Sequence, residues 1–221
     1  MKMSQENNSI KSAFDKIYKQ NLWGSQESKS GPGSTLAHTE AIRKNLPKLL
    51  NMLECKSLLD APCGDFNWMK NVDLSDIEYI GVDIVDDMIK TNNEKYSSDS
   101  IKFSVCDITT EPLPKADAIL CRDVMLHLPL AGIKNLLVNF FRSDIKYLLA
   151  SHYAWSGDNT EVLNVVWGRH INLTKRPFFF PEPLHTIQDF PIGEPHRAIA
   201  VWSKEYLQHE LGKQNNFSFF K

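Results

Sequence analysis

From Ile10 onward, apolar residues recur at helical intervals (Ile10, Phe14, Ile17, Tyr18, Leu22), which predicts a short amphipathic helix leading into Trp23-Gly24, while Met1 to Ser9 is polar and expected to fray. A second helical stripe, Ile42, Leu46, Leu49, Leu50 and Leu53, contains Pro47, a residue expected to kink or divide it. Between the two lies Ser25 to Thr35, a run of small polar and turn residues whose composition is that of a flexible linker. Then the pattern shortens. Leu58-Leu59 reaches Asp60 and breaks at Pro62 and Gly64, Ile77 to Val82 reaches Asp83, and Ile101 to Cys106 reaches Asp107. Ala116 to Cys121 ends in Arg122-Asp123, and Lys146 to Ala150 ends in Ser151-His152-Tyr153. Helical patterns over Asp86 to Tyr96 and Leu126 to Phe141 fall between these runs. Strands that alternate with helices, each strand ending in a polar cluster, predict an α/β domain with a mainly parallel sheet and one functional edge. Leu184 to Phe190 and Arg197 to Trp202 have no helix-length segment between them, so they are expected to close the sheet as an antiparallel pair.

Composition changes this picture little. At 221 residues, 42% hydrophobic and 24% charged, the chain fits one well-buried domain. Its 25 basic and 27 acidic residues leave a net charge of -2, with no overall pull toward nucleic acid or an anionic membrane. Cys55, Cys63, Cys106 and Cys121 lack the short paired spacing of a zinc site and read as reduced core thiols. No apolar run nears the length of a membrane span, and the N-terminus lacks a signal-peptide pattern, so a cytoplasmic location is expected.

The chemistry gathers at the strand ends. Asp83 follows Asp60 by 23 residues, close to the interval at which a second-strand acid meets ribose hydroxyls in doubly wound folds. Trp23 offers a flat surface before the Ser25–Thr35 loop, and Ser34 or Thr35 can cap the helix that follows, where free N–H groups receive anions; both features set the loop apart from a plain linker. His38 and Glu40 fall on that helix's first turn. Asp123 and His127 are four apart, a spacing that puts them on one face of a helix, and His152 and Tyr153 follow the fifth strand.

The series Leu58-Leu59-Asp60-Ala61-Pro62-Cys63-Gly64, Gly81-Val82-Asp83, Cys106-Asp107-Ile108 and Ile119-Leu120-Cys121-Arg122-Asp123 resembles the successive motifs of class I S-adenosylmethionine-dependent methyltransferases. Pro62 and Phe66 stand where that family commonly has glycine. The flanks, Trp23 to Ser34, Cys121-Arg122-Asp123 before His127-Leu128, and Asn172-Leu173 to Pro183, resemble a small bacterial group associated with surface-polysaccharide genes. The resemblance implies a Rossmann-like seven-stranded sheet, with residues 1–54 capping the cofactor site and 55–221 forming the methyltransferase domain. It also implies S-adenosylmethionine as cofactor. Asp60, Cys63 and Gly64 would line its methionine end, Asp83 would take the ribose hydroxyls, and Asp107 with Ile108 would hold the adenine. Trp23, Ser34, Ile84 and Arg122 complete the expected cofactor set.

The implied reaction is methylation of a hydroxyl on a small acceptor, a sugar, nucleotide-sugar or related phosphorylated intermediate. His152 and Asp123 are the first candidates for its base and His127 the third. Tyr153, Arg169 and His170 are candidates for the acceptor site, and Arg122 is a further candidate for an anionic acceptor. No metal is expected, although a metal-assisted route would use Asp123, His127 and His152 as ligands. The same residues are compatible with an N-directed methyltransferase and with a protein that binds the cofactor without turnover. A dinucleotide-dependent dehydrogenase fits less well, since it calls for a fuller glycine fingerprint. Oligomeric state is not legible.

Overall fold

The computed structural model describes residues 2–189, 197–213 and 216–220. Within them seven strands, β1 (Ser57–Asp60), β2 (Glu78–Asp83), β3 (Ile101–Val105), β4 (Ala118–Cys121), β5 (Tyr147–His152), β6 (His185–Gln188) and β7 (Ala198–Ser203), form one sheet in the order β3-β2-β1-β4-β5-β7-β6. The first five are parallel. β7 inserts antiparallel between β5 and β6. The expected α/β sheet with a closing antiparallel pair is therefore the architecture observed. Because β2 lies on one side of β1 and β4 on the other, the chain leaves β1 and β4 in opposite directions. The crevice between those strand ends is where open α/β sheets receive ligands.

The helices are α1 (Lys2–Gln20), α2 (Glu40–Met52), α3 (Asp86–Tyr96), α4 (Leu130–Arg142) and α5 (Lys204–Lys213). α1 starts at Lys2 rather than Ile10, so the stretch expected to fray is helical. α2 runs through Pro47 undivided. The single helix expected over Leu126 to Phe141 is instead a 3-10 turn, Met125–His127, followed by α4, because Pro129 sits as the N-cap, where its missing N–H costs nothing. β6 runs only from His185 to Gln188: Leu184 and Asp189 lie outside it, and the last residue of the expected strand, Phe190, lies outside the described residues. α5 and the 3-10 turn Asn216–Phe220 are not foreshadowed by the hydrophobic pattern.

Strand alternation divides the core. Leu58, Leu120, Leu149 and Val201 face one side with Ile42, Leu46 and Leu50 of α2, whereas Leu59, Ile119, Leu148 and Ala200 face the other with Leu136, Phe140 and Leu207. Each such leucine is fully buried and contributes about 1.5–3 kcal/mol of transfer free energy. Two packed faces thus hold the strand ends still, as a site built at those ends requires.

Candidate active site

A cleft opens at the carboxyl ends of β1, β2, β3 and β4 and is covered by Ile10, Phe14 and Tyr18 of α1 and by Trp23, Ser30 and Ser34 of the loop after it. Asp60, Cys63, Gly64, Asp83, Ile84, Asp107, Ile108 and Arg122 all line it, together with Trp23 and Ser34, so every residue expected around a cofactor comes together in one cavity. Asp123 and His127 also line it; His152, Tyr153, Arg169 and His170 do not.

The two acids nearest the sheet are held in unlike ways. Asp60 accepts the Tyr79 hydroxyl at 2.7 Å, and burial raises its pKa to about 7. Asp83 accepts the backbone N–H of Val85 at 3.0 Å and of Gly64 at 3.2 Å; burial raises it to about 6, against the pull of those donors. A carboxylate has about four acceptor positions, so Asp83 keeps room for two hydroxyl donors. Asp107 uses Oδ1 for the N–H and hydroxyl of Thr109, at 2.9 and 2.6 Å, and its Oδ2 has no partner among the described residues. Gly64 has φ +56°, and a Cβ there would meet Ser30 Oγ at 2.3 Å, so only glycine lets the loop after β1 pass under the covering segment. Phe66, at a position where the family commonly has glycine, keeps a glycine-like φ of 57°. Its ring sits 5.1 to 5.3 Å from those of Tyr79, Tyr96 and Phe103, and that burial offsets the strain of about 1–3 kcal/mol.

The covering loop is clamped rather than free. Ser28 Oγ and the Lys29 N–H donate to Asp65 at 2.9 and 2.7 Å, the Asp65 N–H donates to Ser30 Oγ at 2.9 Å, and Asn67 Nδ2 donates to Glu27 and to the Ser34 carbonyl. The expected N-cap role for Ser34 or Thr35 is not observed: Ser34 ends a 3-10 turn, and α2 starts only at Glu40, behind Thr39.

Beneath the cleft, two arginines and two aspartates alternate. Arg122 pairs with Asp189 at 2.8 Å and Asp123 at 3.3 Å, Arg197 pairs with Asp189 at 2.6 Å and also with Asp123, and Arg122 donates to the Gly33 carbonyl at 2.8 Å. Arg122, Asp189 and Arg197 are buried. The two guanidinium groups hold the Asp123 carboxyl below its ordinary value despite burial. Asp189 and Arg197 do not stand out in the sequence. The signal that could have found them is a charged residue flanking each of the last two strands, Asp189 after β6 and Arg197 before β7, since a charge buried in such a place must be paired. Arg122 is consequently occupied, and no longer stands out as a free anchor for an anionic acceptor.

His127 ends the 3-10 turn, with its Nδ1 2.5 Å from the Val165 carbonyl. A carbonyl only accepts, so Nδ1 carries the proton and Nε2 keeps its lone pair. Burial lowers the pKa of the ring and favours this neutral form. Trp23 packs 5.3 Å from it and donates Nε1–H to the Val166 carbonyl at 2.7 Å. Asp123, with φ 56°, is not helical, so it and His127 share the cleft without sharing a helix face.

His152 stands apart from the cleft. It is 2% exposed, lies edge-on to Trp202 at 5.6 Å, accepts the Leu173 N–H at 3.4 Å, and has a pKa lowered to about 4 by burial. On β5 its neighbour Ser151 points to the other face and receives the Asp123 N–H at 3.0 Å. Asp123, His127 and His152 are not gathered into one donor set, and among the described residues no group of three or more His, Cys, Asp or Glu is arranged to hold a metal. Tyr153 and His170 stack on each other at 4.5 Å, and Arg169 donates to the carbonyls of Met125, Leu126 and Thr160.

The profile of a family described as a methyltransferase domain matches residues 59–143. No curated protein matches the sequence. Among solved structures, the chain is similar to the Burkholderia thailandensis 1,6-didemethyltoxoflavin-N1-methyltransferase, crystallised with 1,6-didemethyltoxoflavin and S-adenosylhomocysteine, at 15% identity over 90% of this chain and 89% of that one, TM-score 0.63. It is also similar to the Synechocystis magnesium protoporphyrin IX methyltransferase with bound S-adenosylmethionine, at 13% identity over 74% and 80%, TM-score 0.51. The chain spans only 33% of the human N-acetylserotonin methyltransferase, which matches 50% of it at 16% identity and TM-score 0.44. Residues 59–143 thus match a methyltransferase domain, and the fold around them is one shared with methyltransferases crystallised with S-adenosylmethionine or S-adenosylhomocysteine.

Proposed function

We propose that the protein transfers a methyl group from S-adenosylmethionine to a hydroxyl of a small, sugar-type acceptor, with His127 as the base that receives the hydroxyl proton. The observation that carries this reading is a neutral imidazole on the cleft wall whose Nδ1 is committed to the Val165 carbonyl. Its Nε2 is then the basic nitrogen, with no hydrogen-bond partner among the described residues. His152, away from the cleft and hard to protonate, and Asp123, neutralised by two arginines, are weaker bases than the sequence suggested.

When bound, the cofactor supplies a methyl group on a positively charged sulfur. Asp83 would hold the ribose hydroxyls and Asp107 the adenine amine, between the apolar side chains of Ile84 and Ile108. Asp60 and Asp83 give the pocket an acidic floor suited to a cation. α1 and the clamped loop exclude water, and Trp23 and Phe14 present flat faces on which a sugar ring can lie.

Among the described residues, the basic side chains on the cleft are Arg122 and His127, and Arg122 is already paired. An uncharged sugar hydroxyl therefore suits the site better than a phosphorylated one, and synthesis of a surface polysaccharide is the proposed setting. A mass-spectrometric screen of neutral glycosides, nucleotide-sugars and sugar phosphates for a gain of one methyl group tests this. Methyl gain on a neutral glycoside is expected; gain confined to amines would overturn the hydroxyl assignment.

A further inference from the structure

The segment after β5 crosses behind His127, and two of its residues have no other evident task. Arg169 donates through Nη1 to the Met125 and Leu126 carbonyls, both at 2.9 Å, and through Nε to the Thr160 carbonyl at 3.0 Å; its backbone N–H meets the Leu126 carbonyl at 3.0 Å. One guanidinium therefore pins the 3-10 turn that ends in His127 to the segment that carries Val165. Gly168, at φ +67°, lies against the same turn. A Cβ there would come within 2.3 Å of Leu126 Cδ1, 2.9 Å of the Leu126 carbonyl oxygen and 3.2 Å of His127 Nδ1. Between these two contacts, Val165 brings its carbonyl to Nδ1 at 2.5 Å, and Val166 brings its own to the Trp23 indole.

We infer that Arg169 and Gly168 are positioning residues that hold the Val165 carbonyl on His127 Nδ1 and so lock the imidazole in the tautomer whose Nε2 can take a proton. In catalytic terms the inference rests on the reading of His127 as the base, but the tautomer can be measured without any acceptor. It also gives Arg169 a role different from the acceptor contact expected of it from the sequence. A guanidinium fork can span two carbonyls and a third acceptor at once, whereas an ammonium is a point donor. Restoring the charge as lysine is therefore not expected to restore the geometry. Gly168 acts by absence, leaving the space in which the ring and the turn meet.

The test is 15N NMR of histidine-labelled full-length protein at pH 7.5, comparing wild type with Arg169→Gln, Arg169→Lys and Gly168→Ala. Wild type should show His127 in the Nδ1–H form. Each variant should show Nε2–H form appearing at His127 while the His152 signals stay unchanged. With an acceptor identified, the variants should lose kcat on the order of 10²-fold, with S-adenosylmethionine affinity held within a few-fold. If Arg169→Gln fails to fold, Arg169→Lys and Gly168→Ala carry the same comparison. A His127 that stays wholly Nδ1–H in the folded variants would overturn the positioning role. A shifted tautomer with undiminished kcat would leave that role standing and instead remove His127 as the base.

Discussion

Asp83 and His127 divide binding from turnover, and single substitutions should separate the two. Asp83→Ala removes the expected ribose partner and should weaken S-adenosylmethionine binding by about 1.5–3 kcal/mol, roughly ten- to a hundredfold, in a calorimetric titration. His127→Ala should leave that affinity within a few-fold and cut kcat by about 10² to 10⁴. His152→Ala should lower the thermal midpoint, since it empties a site packed against Trp202, and leave the turnover of folded protein largely intact. The contrast between the two histidines also marks the limit of the sequence. His127 follows β4, but His152 is the last residue of β5, where side chains alternate between faces and the one it meets is packed beside its partner strand β7, in which it pairs with Ala198. That partner lies 46 residues away, and no local pattern specifies it.

At the scale of elements, the strand ends were legible from the pattern, whereas the covers were legible as a helix and loop over the site but not in what fixes them there. The acids after β1, β2 and β3 announce themselves because each closes an apolar run. The Ser25–Thr35 loop has the composition of a linker and becomes a fixed cover through Asp65 and Asn67, from the segment that follows β1. Asp65→Ala should release the loop, seen as faster proteolysis between residues 25 and 35 and weaker cofactor binding, with Asp65→Asn intermediate. The arginine and aspartate quartet was equally hidden, because its members come from the end of β4 and from the residues that follow β6 and precede β7. Asp189→Asn leaves two guanidinium groups short of one charge and should destabilise the fold by about 3–5 kcal/mol in denaturant unfolding.

Across the whole molecule, pH acts through opposed groups. Asp60 and Asp83, raised to about 7 and 6 from an ordinary value of 3.8, contribute stability that is full below about pH 4 and lost as pH rises through 6 to 7. His152, lowered to about 4 from 6.5, works the other way: its contribution is present above 6.5 and lost as pH falls toward 4. The unliganded wild type should thus show partial cancellation, and Asp60→Asn should lose more thermal stability than wild type on going from pH 8 to 5. Cofactor binding wants both carboxylates ionised, so its affinity should fall by up to about tenfold per unit and per group below those values. Among the described residues, no helix is long and apolar enough to cross a membrane. The most direct test of the central claim is calorimetric titration of the protein with S-adenosylmethionine, S-adenosylhomocysteine and NAD at pH 8. Saturable binding of both sulfur ligands, lost in Asp83→Ala, with no binding of NAD, is the predicted result; tight NAD binding without either sulfur ligand would contradict it.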